Sequence, residues 1–256
     1  MSMMQYKIMN VMNNEVRRQE SIARNMASFQ TPGYRRETLI SKSFEHQLDS
    51  DNPETGSGVA LGEVQVRFEQ GALKPTGRPL DFALNGEKVF FEVTAPNGET
   101  LYTRNGRFQL NTEREFVTSE GYAINTERGA LELGGGDLMD QLVTDEEGLV
   151  QLRQEDGTFK ELGQIKVVII NDLEKLKRSG TSYFSLSKED QENPEIVRPV
   201  IEDDDIQVQA GALEQANTEV VNEMVEMISS MRHYELASKF LKSKDGLSTK
   251  EFQVFR

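Results

Sequence analysis

The residues of this chain best suited to chemistry are few, and their spacing argues against catalysis. Gly134-Gly135-Gly136-Asp137 is a glycine-rich run. It lacks the Lys-Ser/Thr pair of a phosphate loop and a strand–turn–helix setting, so it reads as a plain loop. Glu202-Asp203-Asp204-Asp205 gathers carboxylates that attract divalent cations. A calcium site needs a turn that converges roughly six or more oxygens. No glycine interrupts these four residues, and a solvated loop is the better reading. The histidines are His46 and His233. His233 has Ala237 one helical turn on, not a second ligand, and reads as a surface or interface residue. Cysteine is absent, which removes disulfides, thiolate metal sites and cysteine nucleophiles. The 43 acidic side chains offer carboxylates for glycoside hydrolysis, but spacing places no pair, and tryptophan, the usual sugar platform, is missing. No catalytic residue, cofactor site or metal site is expected.

The elements that must position the remaining residues differ between the ends and the middle. Residues 3–28 contain no Gly or Pro. There Met9, Met12, Val16, Gln19, Ala23 and Met26 follow at alternating spacings of three and four, a heptad-type helix stripe. Near the other end Val220, Met224, Met227, Met231, Tyr234, Ser238 and Leu241 repeat the pattern, beside a second file of Val221, Val225, Ile228 and Leu236. Asn217 or Thr218 suits the cap of this helix, and Gly246 its stop. Each stripe packs either into its own domain or on neighbouring subunits, and abundant Met suits an adaptable surface.

From about residue 62 the period falls to two. Val64, Val66 and Phe68 alternate with Gln65 and Arg67, as in a half-buried strand. The run 89–93 leads through Asn97-Gly98, the strongest short hairpin signal, to 101–104. Further strands are expected at 107–110, 115–118, 122–125, 149–152, 159–162 and 164–170, with a helical turn at 172–177. Short strands at such spacing predict an antiparallel sandwich or barrel-like domain, and residues of about 62–200 are expected to fold alone. Residues 49–62 read as an exposed connection. The fold class is therefore α+β: N- and C-terminal helices pairing into a coiled-coil-like terminal domain, with a mainly antiparallel β middle domain. The expected limits are 1–48 with 211–256 for the helical domain, 49–85 for a connector and 86–210 for the β-rich outer domain.

Charge follows this division. The net charge is −14 over 256 residues, and residues 41–210 carry −16 of it while 1–40 carry +3 and 211–256 carry −1. An acidic chain is a poor ligand for nucleic acid, which needs clustered Lys and Arg. No apolar run approaches the roughly 18 residues of a membrane helix, so no transmembrane segment is expected. Residues 1–12 lack the apolar stretch of a cleaved secretory signal.

The Gly71–Gly86 block, Gly71-Ala72-Leu73-Lys74-Pro75-Thr76-Gly77-Arg78-Pro79-Leu80-Asp81-Phe82-Ala83-Leu84-Asn85-Gly86, resembles the signature of the bacterial flagellar rod and hook axial proteins. Its continuation through Phe90-Phe91, Asn97-Gly98, 102–108, Val117-Thr118 and Gly121-Tyr122 agrees. So do Asn25-Met26-Ala27 with Thr31-Pro32-Gly33-Tyr34-Arg35, and Gly211-Ala212-Leu213-Glu214 with Asn217, Glu223-Met224-Val225, Arg232 and Tyr234-Glu235. The chain departs from the family pattern at Arg24, Ser28, Ala216, Thr218 and the tail after Asp245. Its length fits the rod proteins with one β domain, the distal rod protein or its proximal-rod relative.

The resemblance implies a structural rod subunit, a drive shaft linking motor to hook, and no enzyme. It implies assembly with itself as a helical homo-oligomer, with other rod proteins and the hook protein, within the basal-body rings. It also implies export by the flagellar type III apparatus, without a cleaved signal, to the basal body in the periplasm. The expected subunit interface is Met9, Met12, Val16, Ala23, Met26, Val220, Met224, Met227, Met231, Tyr234 and Leu241. The motif residues are Asn25, Gly33, Gly71, Pro75, Thr76, Gly77, Arg78, Leu80, Asp81, Gly86 and Asn217. The Gly71–Gly86 block, with Pro75 and Pro79 fixing φ, is expected to be a shaped connector that contacts the next subunit rather than a regular interior strand. The alternative function is a cell-wall hydrolase or carbohydrate-binding module using carboxylates of the acidic β domain.

Overall fold

A computed structural model describes residues 3–40, 62–126, 129–134, 141–145, 147–154, 156–200 and 207–254. His46, most of the connection at 49–62, Gly135-Gly136-Asp137 and the acidic run at 202–205 lie outside the described residues. In chain order the elements begin with α1 (Met3–Ala27), β1 (Glu37–Ile40), β2 (Glu63–Val66), β3 (Leu73–Pro75), β4 (Phe82–Leu84), β5 (Val89–Thr94) and β6 (Thr100–Thr103). Next come β7 (Gln109–Leu110), β8 (Phe116–Val117), β9 (Ala123–Thr126), β10 (Gly129–Ala130), β11 (Leu142–Thr144), β12 (Leu149–Arg153), β13 (Phe159–Gln164) and β14 (Val167–Ile170). The last are β15 (Lys177–Arg178), β16 (Tyr183–Ser185), α2 (Lys188–Gln191), β17 (Val197–Pro199), β18 (Val208–Ala210), β19 (Ala212–Glu214) and α3 (Val220–Val254).

The chain divides into two compact units. Residues 1–27, 36–67 and 218–256 form a helical unit, and 28–35 with 68–217 form a β unit. In the helical unit α1 packs on α3 and on β1, which pairs antiparallel with β2. Hydrogen bonds at Glu15–Ser230 and Asn25–Glu223 run the two helices antiparallel. Strand β2 is more exposed than the half-buried strand the alternation predicts, with Val64 exposed. The expected stop at Gly246 is not observed: α3 continues through it to Val254. One glycine costs about 1 kcal/mol in a helix interior, too little to break a run of good helix formers with no proline.

In the β unit all strand pairs are antiparallel, as the short alternating runs predict. The ten-stranded sheet has β5 at its centre, between β6, β9 and β14. Strands β11–β13 form a second sheet, and β4–β18 and β3–β19 form two short ladders. Strand β5 is buried on both faces: Phe91 packs edge-on against Phe108 at 5.5 Å, while Phe90 meets Phe184 at 6.1 Å. The predicted Asn97-Gly98 turn joins β5 to β6, with Gly98 at φ +81°. The helical turn expected near 172–177 is a short 3₁₀ helix at Leu173–Lys175, capped by the Asp172 side chain.

Two sequence expectations change here. The Gly71–Gly86 block does contain regular strands, and β4 is fully interior. Pro75 and Pro79 both precede β4 instead of interrupting it, and Pro75 ends β3, where a missing N–H costs little. A fragment limited to about 62–200 would also be incomplete, because the β unit draws in 28–35, β18 and β19.

Candidate assembly interface

The seam between α1 and α3 is built from polar residues. Asn14, Glu15, Ser21 and Asn25 are buried on α1, as are Glu223 and Ser230 on α3, with Ile22 and Leu39 supplying apolar contact. Ser230 Oγ donates to Glu15 Oε2 at 2.7 Å. Asn25 behaves like a strand neighbour of β1: its Oδ1 accepts from Glu37 N–H at 2.9 Å and its Nδ2 donates to Glu37 C=O at 2.8 Å. The same Nδ2 donates to Glu223 Oε2 at 3.1 Å, so one carboxamide ties α1, β1 and α3. Arg36 pairs with Glu223 at 2.5 Å and Glu226 at 2.7 Å. Partial burial pulls its guanidinium down, but Glu226 and Glu223 outweigh that and hold it above its ordinary value. His233 is exposed, its Nδ1 3.8 Å from Glu15 Oε1. Among the described residues no three His, Asp or Glu converge as a metal site.

The apolar stripes lie elsewhere on the same helices. Residues 15, 22 and 25 of the seam precede Val16, Ala23 and Met26 by one position, and 223 and 230 precede Met224 and Met231. One position is about 100° around a helix. Met9, Val16 and Ala23 are consequently exposed, and Met12 and Met26 half-buried. On α3, Met224 and Met231 are 48% and 49% exposed, while Val220, Met227, Tyr234 and Leu241 are half-buried. The second file, Val221, Val225, Ile228 and Leu236, is more open still, at 52–72%. Met9, Val16, Ala23, Met224 and Met231 are therefore left exposed by the single chain, while the other stripe members are partly packed within it.

In the β unit the motif residues converge on β3, β4, β18 and β19. Glu214, at the end of β19, is 1% exposed and receives Arg35 at 2.6 Å and Arg104 at 2.7 Å, both arginines equally buried. Gly71 N–H donates to Glu214 Oε1 at 2.8 Å, and Gly33 N–H donates to Glu214 C=O at 2.8 Å. Arg104 also donates to the carbonyls of Gly86, Val89 and Leu84. Burial pushes the Arg104 guanidinium down to about 10, against the pull of Glu214. Thr76 and Gly77 donate their N–H groups to Gly211 C=O at 2.7 and 3.0 Å, and Gly211 N–H donates to Asp81 C=O at 2.7 Å. Arg78 donates to Phe108 C=O at 3.0 Å and lies 3.5 Å from Asp81, which is buried, as is Leu80 in the core. Asn217 Nδ2 donates to Glu69 C=O at 2.9 Å, and Pro75 sits in register with Ala212. Asn25 stands apart, in the helical unit.

This arrangement holds a fold together and offers helix faces; it assembles no reacting atoms. Residues 83–167 match the flagellar hook protein FlgE/F/G D1 domain family, and residues 209–250 match the flagellar basal body rod FlgEFG protein C-terminal family. The flagellar basal-body rod protein FlgG of Borreliella burgdorferi is 27% identical over 243 residues, covering 89% of each chain. FlgF of Rhizobium meliloti is 28% identical over 240 residues, covering 93% of this chain and 91% of its own. FlgG of Agrobacterium fabrum is 28% identical over 249 residues, with 90% of each covered. The chain is similar to flagellar basal-body rod proteins along about nine-tenths of its length.

The first matched domain runs from β4 to the first residue of β14, and the second spans β18, β19 and most of α3. The sequence reading missed Glu214, Arg35 and Arg104 as a cluster. Each stood in a recognised motif, but they lie up to 179 positions apart and no periodicity links them. It also missed the polar seam, because the apolar stripes carry the stronger helical signal.

Proposed function

We propose that this chain is a structural subunit of the bacterial flagellar basal-body rod, self-assembling helically through its terminal helices and transmitting torque from motor to hook. The observation that supports this reading is the division of labour on α1 and α3. Polar residues fill the seam within the chain and leave Met9, Val16, Ala23, Met224 and Met231, with the second file on α3, exposed. Burying those faces between copies stabilises contact by roughly 25 cal/mol per Å² removed from water. A repeated heterologous contact whose rotation does not close yields a helical filament. The heptad spacing of the stripes supports coiled-coil-like packing between subunits. The β unit, residues 28–35 with 68–217 and not the expected 86–210, forms the hydrated, acidic outer part, and like charge limits side-by-side aggregation. Neighbouring rod proteins and the hook protein continue the shaft within the basal-body rings. The chain reaches the basal body through the type III export apparatus without a cleaved signal. The family is structural, and the hydrolase reading has no support.

The test is complementation of a deletion strain with Met224→Glu and Met231→Glu together. These exposed positions tolerate charge in the monomer, so the β unit should keep its melting temperature while rods and swimming are lost. A double variant that assembles and swims would refute assembly through the stripes.

A further inference from the structure

The chain passes between its two compact units at 27/28, 35/36, 67/68 and 217/218. On the β-unit side three segments therefore bear the connections: 28–35, the stretch after Phe68, and the stretch before Asn217. All three meet at one carboxylate. Glu214 belongs to the third, binds Arg35 and Gly33 of the first, and binds Gly71 of the second. Through Arg104 it is joined to the carbonyls of Leu84, Gly86 and Val89, beside the central strand β5.

The contacts around this carboxylate are unusually stiff. A Cβ on Gly33 would lie 2.3 Å from the Arg104 carbonyl carbon, and one on Gly71 would lie 2.0 Å from the Gln215 oxygen. Backbone thus rests on backbone, with no rotatable side chain between. The charge balance is also uneconomical for stability alone. Two buried guanidinium groups share one carboxylate, and Arg35 Nε and Nη2 find no acceptor among the described residues. Well-packed apolar side chains stabilise such a site as well or better, so the geometry of the ionic cluster is its distinguishing property.

We infer that Glu214 is a positioning residue that clamps the three connecting segments to the β core, so that torque passes into the β unit as through one rigid root. This rests on the reading of the chain as a torque-transmitting rod subunit. Glu214→Gln keeps the shape and removes the charge. Arg35→Met removes the arm to segment 28–35, leaves the neutral Glu214–Arg104 pair, and deletes the two unmatched donors, so it should fold and melt like the parent.

Hydrogen exchange on the purified full-length chain tests the clamp. Glu214→Gln should lower protection about tenfold in 28–35, 71–76 and 212–217 together, with β12 and β13 unchanged. Arg35→Met should release 28–35 alone. In cells, the Arg35→Met variant should build normal numbers of hooks yet rotate at least twofold slower than wild type in viscous medium, while matching it in dilute medium. Faster exchange confined to 212–217 in Glu214→Gln would overturn the clamp. Wild-type rotation of Arg35→Met under load would overturn the torque role. A deletion strain that swims normally would refute the rod reading and the torque role, while exchange in the purified chain would still decide the clamp.

Discussion

Gly33 and Gly77 share a backbone conformation but not an environment, and this separates two reasons for glycine. Both have positive φ, +67° and +71°. A methyl on Gly77 would meet nothing within 4 Å, whereas one on Gly33 would sit 2.3 Å from Arg104 C, 2.4 Å from Arg104 O and 2.6 Å from Asn105 N. Left-handed backbone costs an L-residue roughly 1–2 kcal/mol, so Gly77→Ala should destabilise by about 1 kcal/mol. Gly33→Ala carries the same strain plus overpacking, for which about 1–3 kcal/mol is usual. Main-chain atoms cannot rotate aside, which places the total near the upper end, at about 4 kcal/mol. For a unit of this size each kcal/mol shifts melting by roughly 2–4 °C. Thermal denaturation of the full chain, followed by the β-sheet circular-dichroism signal, should show a fall of about 2–4 °C for Gly77→Ala. The fall for Gly33→Ala should be roughly 8–16 °C. Shifts equal within about 2 °C would show that the backbone approach at Gly33 relaxes freely, and the argument for close approach would fail.

Asn25→Asp should loosen the helical unit by about 3 kcal/mol, since it replaces a buried double donor with a carboxylate facing Glu223. Limited proteolysis should then cut α1 and α3 faster with the β unit intact; an unchanged digestion pattern would count against that seam. The fragment 28–217 should melt cooperatively, while 62–200, which strands Arg104 without Glu214, should not; a sharp transition in the shorter fragment would show the cluster to be dispensable. Alkaline titration should reveal Tyr183. Burial, reinforced by its hydrogen bond to Glu120, holds its phenol above the usual 10. Above about pH 10 the unfolded chain therefore loses a proton that the folded chain keeps, and stability falls as pH rises. Tyr183→Phe should flatten that fall in urea titrations between about pH 10 and 12, and an unaltered slope would exclude Tyr183 as a source.

Local pattern located part of the secondary structure of this chain and missed short strands such as β3, β4, β18 and β19. Period-3.6 and period-2 spacing located α1, α3 and the hairpin at Asn97-Gly98, because helix faces and pleats recur within a few residues. The exclusion of thiolate and nucleic-acid chemistry followed from composition, which needs no structure. Tertiary structure decided what each face does. The stripes of α1 and α3 were legible as apolar, but only packing showed that Asn25, Glu15, Glu223 and Ser230 occupy the internal seam while Met9, Val16, Ala23, Met224 and Met231 stay exposed. Likewise Gly33 and Gly71 carried a motif, while their reason, backbone lying against Arg104 and Gln215, depends on segments distant in sequence. The same holds for Glu214: its charge was plain, yet its two arginine partners come from positions 35 and 104, which only the folded chain brings to one carboxylate.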